Sequence, residues 1–101
     1  MTIVVTCNVV MRFRGFLASC MLEIAPGVYT APKMSRGVRE RIWKVLNDWF
    51  NNEPQGSIVM TWSDSSLACG QGILTLGLPA KELLAYDGLF LVRSAGEDNP
   101  L

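Results

Sequence analysis

Histidine is missing from this 101-residue chain. That removes every mechanism built on an imidazole base, a Ser-His-Asp triad or a His-ligated metal. Any acid–base chemistry would fall to carboxylates. Cysteine is scarce: Cys7, Cys20 and Cys69 form no CxxC pair. An odd number at wide spacing is neither a disulfide framework nor a zinc site, and it fits a reducing compartment. Long apolar runs are lacking too, with no uncharged span of about twenty residues. The first ten residues have no basic start, and their apolar run ends at Arg12 and Arg14, so no secretory signal is read there. The expected location is the cytoplasm, with no membrane partner. Internal repeats and low-complexity segments are absent as well.

What remains is a half-hydrophobic chain, enough for one compact core and too short for two. A single domain over 1–101 is expected, with 95–101 as a loose polar tail. So small a core gains stability by pairing with a second copy, which makes a homodimer the expected state. Net charge is zero, yet the two parts of the chain differ. Residues 1–44 hold seven cations against Glu23 and Glu40, a balance of +5, and the remainder carries −5. One basic and one acidic face would follow if the fold keeps those parts separate, and a mixed surface if it interleaves them.

Thr2 to Thr6 is a β-branched run, apolar on both faces, and reads as a central strand. Phe13, Phe16, Leu17, Cys20, Met21 and Ile24 recur at steps of three and four, which predicts an amphipathic helix over 11–24, ended by Pro26-Gly27. A short strand follows at 27–30. Ser35 supplies an N-cap for a second helix, whose apolar stripe Val38, Ile42, Val45, Leu46 and Trp49 stops before Asn51-Asn52. Residues 57–62 alternate strictly and predict a third strand. A polar hairpin loop over 63–72 and a strand at 73–76 come next. Pro79 opens a helical turn through Leu84, and Asp87-Gly88 marks a turn before a strand at 89–92. The fold class is α+β: a ferredoxin-like sandwich, an antiparallel sheet of four to five strands with two helices on one face. That βαββαβ order needs two strands between the helices, and only one is visible in the sequence.

Arg12 and Arg14 lie in the first turn of the first helix, where cations oppose the helix dipole. Local stability does not explain them, whereas a phosphate at that helix end does. Arg36 and Arg39, with Lys33, surround the start of the second helix and would extend such a stripe. Trp49 and Trp62 belong to apolar faces, while Trp43 and Phe50 fall off them and suit a protein interface. Leu89, Phe90, Leu91, Val92 and Arg93 form a last strand apolar on both faces, which a second subunit or a partner must cover. Cys7, closing the first strand, reads as a small core residue. Asp64 and Asp87 are read as loop and turn residues.

In order along the chain, VVTCNVVMRFRGFL (4–17), GVYTAP (27–32), RERIW (39–43), GSIVMTW (56–62) and YDGLFLV (86–92) resemble the second CRISPR-associated protein of the spacer-acquisition pair, in its type I-E form. The likeness covers nearly the whole chain. It implies a ferredoxin-like homodimer that sits between two dimers of an integrase subunit and binds double-stranded prespacer DNA. It implies that Arg12 and Arg14 contact the DNA backbone. Lys81 falls where the family places a basic pair whose other member here is Ala80, and Gly37 stands where a basic residue is frequent. Many members of the wider family are described as metal-dependent nucleases with an acidic residue at the end of the first strand. Here that residue is Cys7, a poor magnesium ligand, so no catalytic residue, metal ligand or cofactor is assigned. The rival reading is a nuclease cutting RNA or duplex DNA, with Asp64 or Asp87 holding magnesium. A module that binds only protein is a third.

Overall fold

A computed structural model describes residues 1–77 and the strands at 81–86 and 89–94. Among the described residues the order is β1 (Thr2–Cys7), α1 (Met11–Cys20), β2 (Leu22–Ala25), β3 (Val28–Ala31), α2 (Arg36–Asn52), β4 (Ser57–Ser63), β5 (Gln71–Leu76), β6 (Lys81–Tyr86) and β7 (Leu89–Ser94). The first six elements give βαββαβ, with sheet order β2-β3-β1-β4 and β5 added beside β4. Every pairing is antiparallel. This is the expected α+β, ferredoxin-like arrangement.

The β-branched first strand is central, paired with β3 on one side and β4 on the other. Its register places Val4 between Tyr29 and Met60. All three are fully buried, as are Ile58, Phe13 and Leu17 of α1, and Leu46 of α2. The helix pairs Phe13/Leu17 and Ile42/Leu46 are i, i+4 neighbours, so each helix presents one narrow apolar stripe to the sheet. Truncating a fully buried leucine such as Leu46 to alanine costs about 2–5 kcal/mol in cores of this kind. Ser35 caps α2 as expected, its Oγ accepting from the Val38 N–H at 3.2 Å.

The helix predicted over 11–24 ends at Cys20, where the Met21 N–H closes on the Leu17 carbonyl at 2.8 Å. Residues 22–25 are instead the second strand that the sequence had hidden. Β2 is an edge strand exposed along its length, so no alternation of buried and exposed positions marks it. Gly27 makes the β2–β3 turn possible. Its φ is +77°, and a Cβ there would meet the Thr6 carbonyl oxygen at 2.8 Å. α2 also runs through Asn51-Asn52 rather than stopping before them.

The helical turn expected after Pro79 is corrected as well. Residues 81–86 are strand β6, paired with β7 from Lys81↔Ser94 to Tyr86↔Leu89. Two apolar runs flanking Asp-Gly satisfy each other's backbone groups as a hairpin, which outweighs the helix-start signal of a single proline. Leu89 to Arg93 are in a strand, as predicted. Asp87 and the expected tail at 95–101 lie outside the described residues.

Opposite the helices, the sheet carries Ile3, Val5, Val28, Val59 and Ile73 among Thr30, Thr61 and Thr75, a set without charge that follows from the register of the four pairings. Val5 is 40% exposed.

Candidate nucleic-acid interface

Β1 and β3 run in opposite directions, so the helices that follow them start at opposite ends of the sheet. α1 begins beyond Cys7, and α2 begins beyond Ala31, which pairs with Thr2. A six-residue strand separates those ends by about 17 Å. Arg12 and Arg14 therefore stand at one end, Arg36 and Arg39 at the other. The fold does not join them into one stripe.

At the first end Asn8 leaves β1 with φ +61°, a conformation asparagine tolerates better than most residues. Its carbonyl accepts from Gln55 Nε2 at 3.1 Å, tying the bend to the segment before β4. α1 then starts with no side-chain cap at Val10 and no acidic residue in its first turn. The Phe13 N–H turns back to the Val10 carbonyl at 3.2 Å, which leaves the N–H groups of Met11 and Arg12 for solvent or a ligand, and two cations stand where the dipole disfavours them.

Arg12 is exposed, with its guanidinium carbon 4.5 Å from the centre of the Trp49 ring. Phe13 and Phe16 meet that indole edge-on, at centroid distances of 5.7 and 5.3 Å. The cation rests on a braced aromatic surface, which restrains it without neutralising it. Trp49 was legible as an apolar-stripe residue, not as a platform for Arg12.

Arg14 borders a cleft of about 420 Å3 lined by Thr6, Cys7, Asn8, Val9, Pro26 and Gly27. One guanidinium nitrogen lies 3.3 Å from Glu23 Oε2, and the same oxygen accepts the Gly27 N–H at 3.0 Å. The Gly27 N–H, and after it Arg14, hold the Glu23 carboxyl below the ordinary glutamate range. Tyr29, opposite Glu23 on β3, is fully buried, and its hydroxyl has no hydrogen-bond partner among the described residues. Neither Glu23 nor Tyr29 was singled out from the sequence.

Cys7 is exposed rather than a core residue. It closes β1 opposite Ser57, in the register of Val5, on the face away from the helices. The described residues lining the cleft beside it offer a thiol, a hydroxyl and an amide with a guanidinium at the rim, and the one carboxylate nearby, Glu23, is held by Arg14 and the Gly27 N–H. Magnesium wants several hard oxygen donors and is repelled by a cation, so these residues do not fit it. Asp64 stands at the other end, just beyond β4, its Oδ1 accepting the Ser66 hydroxyl at 2.6 Å and the Ser66 N–H at 3.0 Å. That turn lowers its pKa. No group of three or more acidic or cysteine side chains able to hold a metal occurs among the described residues.

Arg36 pairs with Glu40 at 2.9 Å on the exposed side of α2. Arg39 lies over Trp62 at 4.1 Å. Lys81 is the first residue of β6, four residues beyond Gly77, and so within about 14 Å of it. Gly77 is at the end of the sheet that holds Cys7, since Ile58↔Leu76 and Cys7↔Ser57 are adjacent pairings.

Residues 1–91 match a family model described as CRISPR-associated protein (Cas_Cas2CT1978). The chain belongs to this family. The match takes in the whole five-stranded sheet, both helices and the start of β7, so the cleft, its arginines and the β6–β7 hairpin fall almost entirely within it. It supports the resemblance read from the sequence at the level of a CRISPR-associated protein. No helix of the described residues is long and apolar enough to cross a membrane.

Proposed function

We propose that this protein is a structural, DNA-binding subunit of a CRISPR spacer-acquisition complex of the type I-E kind. It acts as a cytoplasmic homodimer that bridges two integrase dimers and holds double-stranded prespacer DNA by its backbone. The observation that carries the reading is the start of α1 without a side-chain cap, with Arg12 and Arg14 beside a strand-end cleft and Glu23 on Arg14 as the carboxylate at its rim. Backbone N–H groups and two guanidinium groups are what a phosphate seeks, and one carboxylate, Glu23, leaves the two arginines in excess. Lys81, tethered within reach of the same end, adds a third cation. Arg36 and Arg39 would touch a duplex only as a separate contact at the far end.

The uncharged sheet face supports the dimer, because an antiparallel sheet that faces water on one side normally carries polar residues there. Β7, with Leu89 to Arg93, is the proposed integrase-docking strand. No cofactor is part of this reading.

The test is co-elution of the protein with the integrase subunit on a splayed duplex, comparing wild type with the Arg12→Ala, Arg14→Ala double variant. A ternary complex lost in the double variant is expected. Because the contacts are to phosphate, affinity should be indifferent to sequence, and the log–log salt slope should fall by about 0.9 for each contact removed. A complex indifferent to the double variant removes the phosphate site. Magnesium-dependent cleavage lost in Asp64→Ala would replace this reading with the nuclease.

A further inference from the structure

A second groove lies at the other end of the sheet from the Arg14 cleft, between α2 and the β4–β5 hairpin, with a volume of about 560 Å3. Trp43 and Lys44 reach it from the helix, and Trp62, Leu67 and Leu74 from the hairpin. Leu67 is 42% exposed and Leu74 37% exposed, so the hairpin side offers aliphatic surface to solvent. Trp62 is seated on Gly72, where any side chain would collide with its ring, so β5 holds this wall of the groove close against β4.

The groove's charges are unevenly satisfied. Glu40 is paired with Arg36, and Asp64 accepts two hydrogen bonds from Ser66. Arg39 and Lys44 have no ion-pair partner among the described residues, although both border the groove. What is left is two cations without an ion pair, Lys44 and the Arg39 that rests on Trp62, beside exposed leucines, with the Asp64 carboxylate on the same groove.

We infer that this groove docks a short segment of a partner protein in which acidic residues flank a bulky aliphatic or aromatic side chain. The apolar anchor seats against Trp43, Leu67 and Leu74, and its acidic neighbours meet Arg39 and Lys44. Apolar anchoring in a pocket with charge at the rim is a common mode of peptide recognition. A nucleic-acid strand fits less well. The Arg39 guanidinium covers the Trp62 ring face on which a base would stack, and Leu67 and Leu74 give the hairpin side aliphatic surface rather than a second stacking face. Because the groove is a strand's length from the α1 cleft, a peptide here and a phosphate there do not exclude each other. The inference does not rest on the duplex-binding reading.

Fluorescence anisotropy on the full chain tests it with three labelled twelve-residue peptides. One carries Leu-Phe between pairs of glutamates, the second has lysine for each glutamate, and the third has serine for Leu-Phe. Saturable binding of the first alone is expected, about tenfold weaker in Lys44→Glu and in Leu74→Glu and unchanged in Arg12→Ala, Arg14→Ala. Lys44 is an exposed helix residue, so its variant keeps the fold if Leu74→Glu does not. Failure of the acidic peptide to bind, equal binding of the lysine peptide, or indifference to Lys44→Glu overturns the inference. Displacement of the peptide by a single-stranded oligonucleotide also overturns it, and gives the groove to nucleic acid.

Discussion

Arg14 and Glu23 share an ion pair at 3.3 Å although one belongs to α1 and the other to β2. A phosphate entering the neighbouring cleft has to share that guanidinium with a carboxylate already in place. Arg14 is restrained at the rim by the pair, and part of its charge is spent on Glu23.

Replacing Glu23 by glutamine separates those two effects. The amide oxygen still accepts from the Gly27 N–H and from Arg14, so the orientation is kept while the competing charge goes. Duplex DNA should bind the Glu23→Gln variant more tightly, on the order of threefold, in a fluorescence titration at low salt. Weaker binding would mean that the carboxylate is needed to aim Arg14.

Acid should uncouple the same pair. The folded Glu23 carboxyl lies below its ordinary value, chiefly because of the Gly27 N–H, so the unfolded chain takes up a proton first as pH falls. Its stabilisation is present above about pH 4.3 and is lost as pH drops through the lower folded value. The urea midpoint of the wild type should therefore fall more between pH 6 and pH 3 than that of Glu23→Gln. Asp64, held low by Ser66, contributes in the same direction to both proteins, so the difference between them isolates Glu23. Parallel curves would show that the pair adds nothing to stability.

The same pair marks where the sequence stopped being readable. With a helix drawn over 11–24, Glu23 sits nine residues past Arg14, roughly 13 Å along the axis, and no contact is conceivable. Only the break after Cys20 and the return of β2 bring them together. Periodicity misled because Cys20 and Ile24 fit a helical step while both are exposed in the fold. Where burial follows the pattern, as at Val4, Leu46, Ile58 and Met60, element and face were both legible. Arg12 and Arg14 were legible as cations in a place that local stability does not favour. Their partners Trp49 and Glu23 were not, since each comes from an element whose position depends on tertiary packing. Arg39 over Trp62 joins residues 23 apart in sequence, and no local spacing announces such a stack.

Gly27 offers a test of the turn that reveals β2. Alanine there must adopt φ near +77° and push a methyl group against the Thr6 carbonyl oxygen, 2.8 Å away on the central strand. The cost should be about 1–3 kcal/mol, visible as a lower midpoint in chemical denaturation. Duplex affinity should drop as well, because the Gly27 N–H anchors Glu23 beside Arg14. A neutral Gly27→Ala would mean that the β2–β3 turn relaxes without disturbing β1.

The sheet face turned away from the helices gives the most direct check on the proposed homodimer. Val59 lies on this face, on β4 between Val5 of the central strand and Thr75. In a monomer a glutamate there would be half-exposed and nearly harmless, because by its register that side of the strand faces away from the helices. In a dimer that buries this face, each copy would place an unpaired carboxylate in an apolar interface, at a cost of several kcal/mol per ion. Sedimentation velocity should accordingly show a dimer for the wild type and a monomer for Val59→Glu, with the circular dichroism spectrum of the two unchanged. If the variant remains dimeric, the second copy binds elsewhere, and the uncharged face needs a different cover. If the wild type itself sediments as a monomer, the bridge between two integrase dimers has to form on DNA rather than before it.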